Sequence, residues 1–178
     1  MPVYKSEEMD GVVTRVKEKV AEYQVSLGPV VPEETVCAFE LAHGVILPEA
    51  YRRYLLEIGN GFEWEDYGFP FLTFPPEEKT DRLAAPFPFS EAWIWEAEEE
   101  PPEGADMESV RDGNLELIDI GCCQTYNLIL TGPCRGEVWA FADVGIQPCC
   151  QRQDFLGWFE KWLDHGDRVD YFEEYSCD

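Results

Sequence analysis

The sequence predicts an α+β domain: an antiparallel sheet of about four to six strands, with N-terminal helices and a C-terminal helix packed on it. Three features predict this class. The first third of the chain holds three stretches with apolar residues at helical spacing. Residues 115–150 hold short β-prone segments whose links are too short for the crossover of about a dozen residues that parallel neighbours need, so the strands run antiparallel. Residues 154–165 then return to the helical period with the strongest apolar stripe in the chain.

After a loose polar start over residues 1–8, Met9, Val12, Val13, Val16 and Val20 line one face of a helix running to about Tyr23. Ser26-Leu27-Gly28-Pro29 breaks it. Pro32 opens a second helix, with Glu33 and Glu34 favourable near its positive end. Val36, Phe39 and Leu41 give that helix an apolar side, and Gly44 stops it. The third helix lies in LPEAYRRYLLEIGNG, Leu47 to Gly61. Pro48 suits a first turn, where its missing N–H would be unpaired anyway. Leu47, Tyr51, Tyr54, Leu55 and Ile58 form one stripe, while Glu49, Arg53 and Glu57 stand four apart on the outside, each carboxylate able to face the arginine. Gly59-Asn60-Gly61 supplies residues that tolerate positive φ, as a helix end and a tight exit require.

Beyond Gly61 the aromatic, β-prone run of Phe62, Trp64, Tyr67, Phe69, Phe71, Leu72 and Phe74 predicts a strand over 68–74, ended by Pro75-Pro76. Residues 77–113 carry six Pro and Gly residues and read as an acidic insertion without long regular elements, in which Ser90–Ala97 makes a short helix or strand. LELIDI (115–120), TYNLILTG (125–132) and EVWAFAD (137–143) are strands; the turn from Gly132 to Gly136 makes the last two a hairpin, and Gly145 to Cys150 is a weaker fourth. Asp154 is an N-cap for the final helix, in which Phe155, Trp158, Phe159, Trp162 and Leu163 supply the largest apolar surface to cover a sheet. Gly166 ends it. The tail RVDYFEEYSCD either docks or frays.

The 178 residues fit one domain, 1–178, and 45% hydrophobic with 14% aromatic residues excludes a largely disordered chain. The charge is extreme: 37 Asp and Glu against 13 Lys and Arg, net −24. Such a field repels phosphates, which disfavours direct nucleic-acid binding, and attracts a basic partner; taken alone it also serves solubility. No stretch approaches the ~20 apolar residues of a membrane span. The N-terminus lacks the basic and apolar regions of a signal peptide, so a cytoplasmic protein with seven free thiols is expected.

The acid is concentrated. Residues 91–114 hold nine carboxylates and one base, Arg111, so these 24 residues carry a third of the net charge. Trp93 and Trp95 stand beside Glu96, Glu98, Glu99 and Glu100, with Glu103 following. Two readings stand here. Exposed rings as anchors with acids for steering would suit a basic protein surface. Alternatively, the stretch is a solvated loop whose tryptophans tuck into the core. The candidate partner-binding residues are Trp93, Trp95, Glu96, Glu98, Glu99, Glu100 and Glu103.

Catalytic chemistry finds little support. His43 and His165 each end a helix just before a glycine, where a cation is favourable without any catalytic role. Cys122-Cys123, Cys134 and Cys149-Cys150 lack the CxxC spacing of a structural zinc site and read as small thiols. There is no phosphate-binding glycine loop, no GxSxG elbow and no HExxH. No enzyme activity, metal or cofactor is expected.

The order of motifs resembles the SUKH superfamily, whose members read LP-x-x-[YF]-[KR]-x-[FY]-L-x-x-x-NG. Leu47, Pro48, Tyr51, Arg52, Tyr54, Leu55, Asn60 and Gly61 match, IDIGCCQTYNLILTGPCRGEVW resembles the second block, and DFLGWFEKWLD the closing helix. The likeness covers roughly Glu33 to Leu163. It implies an antiparallel sheet flanked by helices and a non-catalytic protein. In the bacterial branch that means an immunity protein neutralising a toxin domain, often a nuclease; in the fungal branch, an adaptor in cell-wall synthesis and signalling. Within that span the acidic insertion and its tryptophans are peculiar to this sequence.

Overall fold

Helices α1 (Met9–Glu22), α2 (Glu33–His43) and α3 (Glu49–Glu57) occupy the first third of the chain, in the computed structural model that describes residues 4–64, 69–76, 82–97, 99–149 and 152–172. Each buries the stripe its spacing predicts: Met9, Val12, Val13 and Val16 on α1, Val36 and Phe39 on α2, and Tyr51, Tyr54 and Leu55 on α3. Leu41 departs from the expectation. It is 86% exposed, because five residues after Val36 it has turned about 140° round the helix from that side chain.

The GNG exit works differently from the prediction. Only Gly61 adopts a positive φ, +63°. A Cβ on Gly59 would stand 2.8 Å from the Leu27 side chain, so that glycine answers to close packing. Asn60 is a connector. Its main chain exchanges hydrogen bonds with Gly28 (2.8 and 3.2 Å), and its side chain both donates to the Phe74 carbonyl and accepts from the Phe74 N–H, each at 2.8 Å.

The expected strand over 68–74 is short. β1 (Glu63–Trp64) pairs antiparallel with β2 (Phe69–Pro70), Phe71 bridges to Ile118, and Gly68 lies outside the described residues. The main sheet is antiparallel in sequence order: β3 (Asn114–Asp119), β4 (Thr125–Ile129), β5 (Val138–Ala142) and β6 (Gly145–Pro148). A bulge between Glu116 and Ile118 in β3 breaks the alternation, which is why Leu117 and Ile118 are both buried.

Register sorts the sheet's side chains. Leu115, Ile118, Tyr126, Leu128 and Val138 join the main core with the helices, while Ile129, Trp139, Phe141 and Ile146 face the other way into a second, aromatic core. Helix α4 (Phe155–His165) supplies Phe155, Trp158 and Phe159 to the main core; Asp154 caps it, accepting from the Gly157 N–H at 2.8 Å.

The expected loose start is pinned instead. Tyr4 donates its N–H to Asp154 and its hydroxyl to Glu160, both at 2.8 Å. Glu160, buried within α4, also receives Arg15 through two hydrogen bonds (2.6 and 2.8 Å) and Lys19 at 3.0 Å. Basic residues of α1 thus dock on acids of α4, an arrangement the amphipathic pattern does not encode. On α3, Arg53 pairs with Glu57 and Asp10, whereas Glu49 accepts the Ser6 hydroxyl rather than facing Arg53.

Candidate protein-docking face

The acidic insertion is a layer of the fold. Residues 82–97 and 99–113 cover the aromatic face of the sheet, where Phe87 and Phe89 are fully buried. Phe87 meets Trp139 edge-on with ring centroids 5.2 Å apart, and Phe89 stacks on Trp93 at 5.5 Å. Thr131 anchors the layer from the β4 side: its hydroxyl donates to the Ala85 carbonyl (2.6 Å) and accepts the Phe87 N–H (3.0 Å). Gly132 has no room for a Cβ against the Phe87 carbonyl, so the layer lies directly on the backbone there.

This placement decides between the two readings of the tryptophans. Trp93 is 5% exposed; its main chain exchanges two 2.9 Å hydrogen bonds with Ile146 of β6, and its indole N–H donates to the Glu99 carbonyl at 2.9 Å. Trp95 is half-buried, packs edge-on against Trp93 at 5.2 Å and donates its indole N–H to the Asp143 carbonyl at 2.6 Å. The expectation of two exposed anchor rings is therefore corrected. A sheet face bearing Trp139, Phe141 and Ile146 needs apolar cover, and these rings supply it.

The acids sit on the outside of that cover. Glu96, Glu99, Glu100 and Glu103 are exposed, and Glu98 lies outside the described residues. Glu99 is partly committed, its carboxylate accepting the Ile94 N–H at 2.8 Å. Glu91 pairs with Arg152 at 2.9 Å, and buried Asp112 pairs with Arg82 at 2.5 Å. Among the described residues no ion pair reaches Glu96, Glu100 or Glu103. Met107, 54% exposed between Asp106 and Glu108, adds an apolar side chain to this surface. Its signal in the sequence is a methionine flanked by Asp106 and Glu108.

Hydrogen bonds from Ser109 lower Asp106 within the acidic layer, but the two carboxyls displaced furthest lie in the helical layer. Burial pushes Asp154 up to about 6 even though the Gly157 and Tyr4 N–H groups donate to it. Burial also works against ionised Glu160, but hydrogen bonds from Arg15, Lys19 and Tyr4 outweigh it and hold that carboxyl at about 2. Both groups are occupied in tying elements together. Among the described residues no three His, Cys, Asp or Glu side chains gather as a metal cage, and Cys37, Cys122, Cys123, Cys134 and Cys149 form no disulfide there. No helix of the described residues is long and apolar enough to cross a membrane.

A second surface carries exposed apolar groups without a run of acid. Leu41 (86% exposed) and Ile46 (70%) flank a cleft of about 740 Å3 lined also by Val45, Leu130 and Arg135. Compared with protein-family models, with curated proteins and with solved structures, the chain finds no match.

Proposed function

We propose that this chain is a non-catalytic binding module: an immunity protein that occludes a basic toxin domain, in the first instance a nuclease. The observation that carries the reading is the outer layer itself, which mounts Glu96, Glu100 and Glu103 on a stacked aromatic base and leaves them without ion-pair partners among the described residues. Exposed carboxylates clustered on one face present to a nuclease cleft the kind of charge that phosphates bring, and net −24 steers the encounter. Met107 supplies an apolar contact within that surface. The motif order, which resembles that of the SUKH superfamily, agrees with the same reading.

Co-expression with a toxin encoded beside this chain tests it. Protection is expected, and death of the cells despite good expression rules out that pairing. A second reading, a cytosolic adaptor for an endogenous partner, is favoured by one observation: the exposed Leu41 and Ile46 beside an apolar cleft, which charge steering leaves unused. A pull-down from lysate without any toxin distinguishes the two, since an adaptor recovers a resident protein and L41E abolishes that recovery.

A further inference from the structure

The tip of the β3–β4 hairpin carries two adjacent exposed thiols in a backbone conformation that cysteine does not favour. The Gln124 N–H donates to the Gly121 carbonyl at 3.0 Å and closes a turn whose central residues are Cys122 (φ +51°) and Cys123 (φ +60°). Two successive positive φ values match the twist of an antiparallel pair, and Asn-Gly meets that demand with least strain. A residue with a larger side chain pays a steric penalty at each position. Asp119 fixes the approach, its carboxylate accepting the Gly121 N–H at 2.7 Å. A cleft of about 460 Å3, lined by Pro70, Leu72, Leu117 and Ile118 with Glu116 and Asp119, ends at Gly121, the residue before the pair.

Chemistry narrows what such a pair can take. A direct disulfide fits poorly, because Cα atoms of consecutive residues lie about 3.8 Å apart across a trans peptide, below the ~4.4–6.8 Å that disulfides span. A closed tetrahedral zinc site needs four protein ligands, and no third candidate ligand stands by these thiols among the described residues. What remains is a soft centre that accepts two thiolates and keeps a substituent of its own. We propose that Cys122 and Cys123 form a dithiol site for a trivalent organoarsenic-type centre, with the apolar substituent lying in the cleft beside Leu72. With phenylarsine oxide both S–H bonds break, two As–S bonds form, and the oxide oxygen leaves as water with the two protons; no oxidation state changes.

The test is intact-mass spectrometry of the full chain with one equivalent of phenylarsine oxide in excess glutathione, a monothiol competitor. One adduct is expected, held on the peptide containing residues 122 and 123 and released by dithiothreitol. C122S and C123S each cut retention at least tenfold, while C37S and C150S leave it unchanged. Equal retention in C122S and wild type, or loss of the adduct in C150S, overturns the proposal. For the cleft, L72A weakens retention of phenylarsine oxide but not of arsenite, and equal effects on both remove the cleft from the site. C122N with C123G keeps the turn and loses the adduct.

Discussion

Asp154 at the cap of α4 and Glu160 within it stand six residues apart, both buried, and Tyr4 joins them through its main-chain N–H and its hydroxyl while their titrations are driven in opposite directions. Asp154, raised to about 6, favours the folded state in its protonated form. Its contribution is complete below the ordinary aspartate value of 3.8 and fades as pH rises through 6. Glu160, lowered to about 2, contributes above the ordinary glutamate value of 4.5 and loses that contribution as pH falls toward 2. Between pH 4 and 7 wild type should lose of order 3 kcal/mol relative to D154N. Between pH 5 and 2 it should lose a similar amount relative to E160Q. Urea unfolding of the three proteins across pH reads both limbs.

Asn60 offers a cleaner test of a motif residue. N60A leaves the Phe74 N–H and carbonyl without their partner and should cost about 2–4 kcal/mol. N60D keeps the shape but turns the donor to the Phe74 carbonyl into an acceptor, so it should be no milder. If N60D retains wild-type stability by denaturant titration, the paired geometry is not what holds this position.

The strain at the β3–β4 tip predicts a gain rather than a loss. Replacing Cys122 and Cys123 by Asn and Gly should stabilise the protein by about 1–2 kcal/mol, since left-handed backbone suits those residues better. Thermal unfolding under reducing conditions measures it.

Scaffold and charge in the outer layer should separate. W93A removes a buried ring from the aromatic core and should cost about 3–5 kcal/mol. E96Q, E100Q and E103Q combined touch no ion pair among the described residues and should leave stability within about 0.5 kcal/mol. With a basic partner, the triple variant should slow association about tenfold or more at low salt and little at high salt. Stopped-flow kinetics at two ionic strengths checks this.

Periodicity made the helices legible. The stripes of α1 and α4 read directly from the chain because each apolar position faces one core. The four sheet strands read equally well, with turns between them carrying the signal. Three things escaped. The second core did not show, since Phe87 and Phe89 stand among prolines, where no period announces burial. Trp93 stood open between an exposed anchor and a buried ring, because its neighbours are acidic, and the bridge to Ile146 with its burial decides for the core. The links from α1 to α4 join residues some 145 positions apart, and nothing local in the sequence marks such a pair.

The bridges at Phe71–Ile118 and Trp93–Ile146 occupy the two flanks of the four-stranded sheet with irregular backbone. Strand addition, the route by which many peptides bind and by which sheets grow into fibrils, needs a row of open N–H and carbonyl groups along an edge. Here Ile118 on β3 and Ile146 on β6 are already engaged by the chain's own segments, so a strand adding at either flank would have to displace them. Recognition through side chains on the faces would leave those bridges in place, and its specificity can drift residue by residue without disturbing the hydrogen-bonded frame beneath.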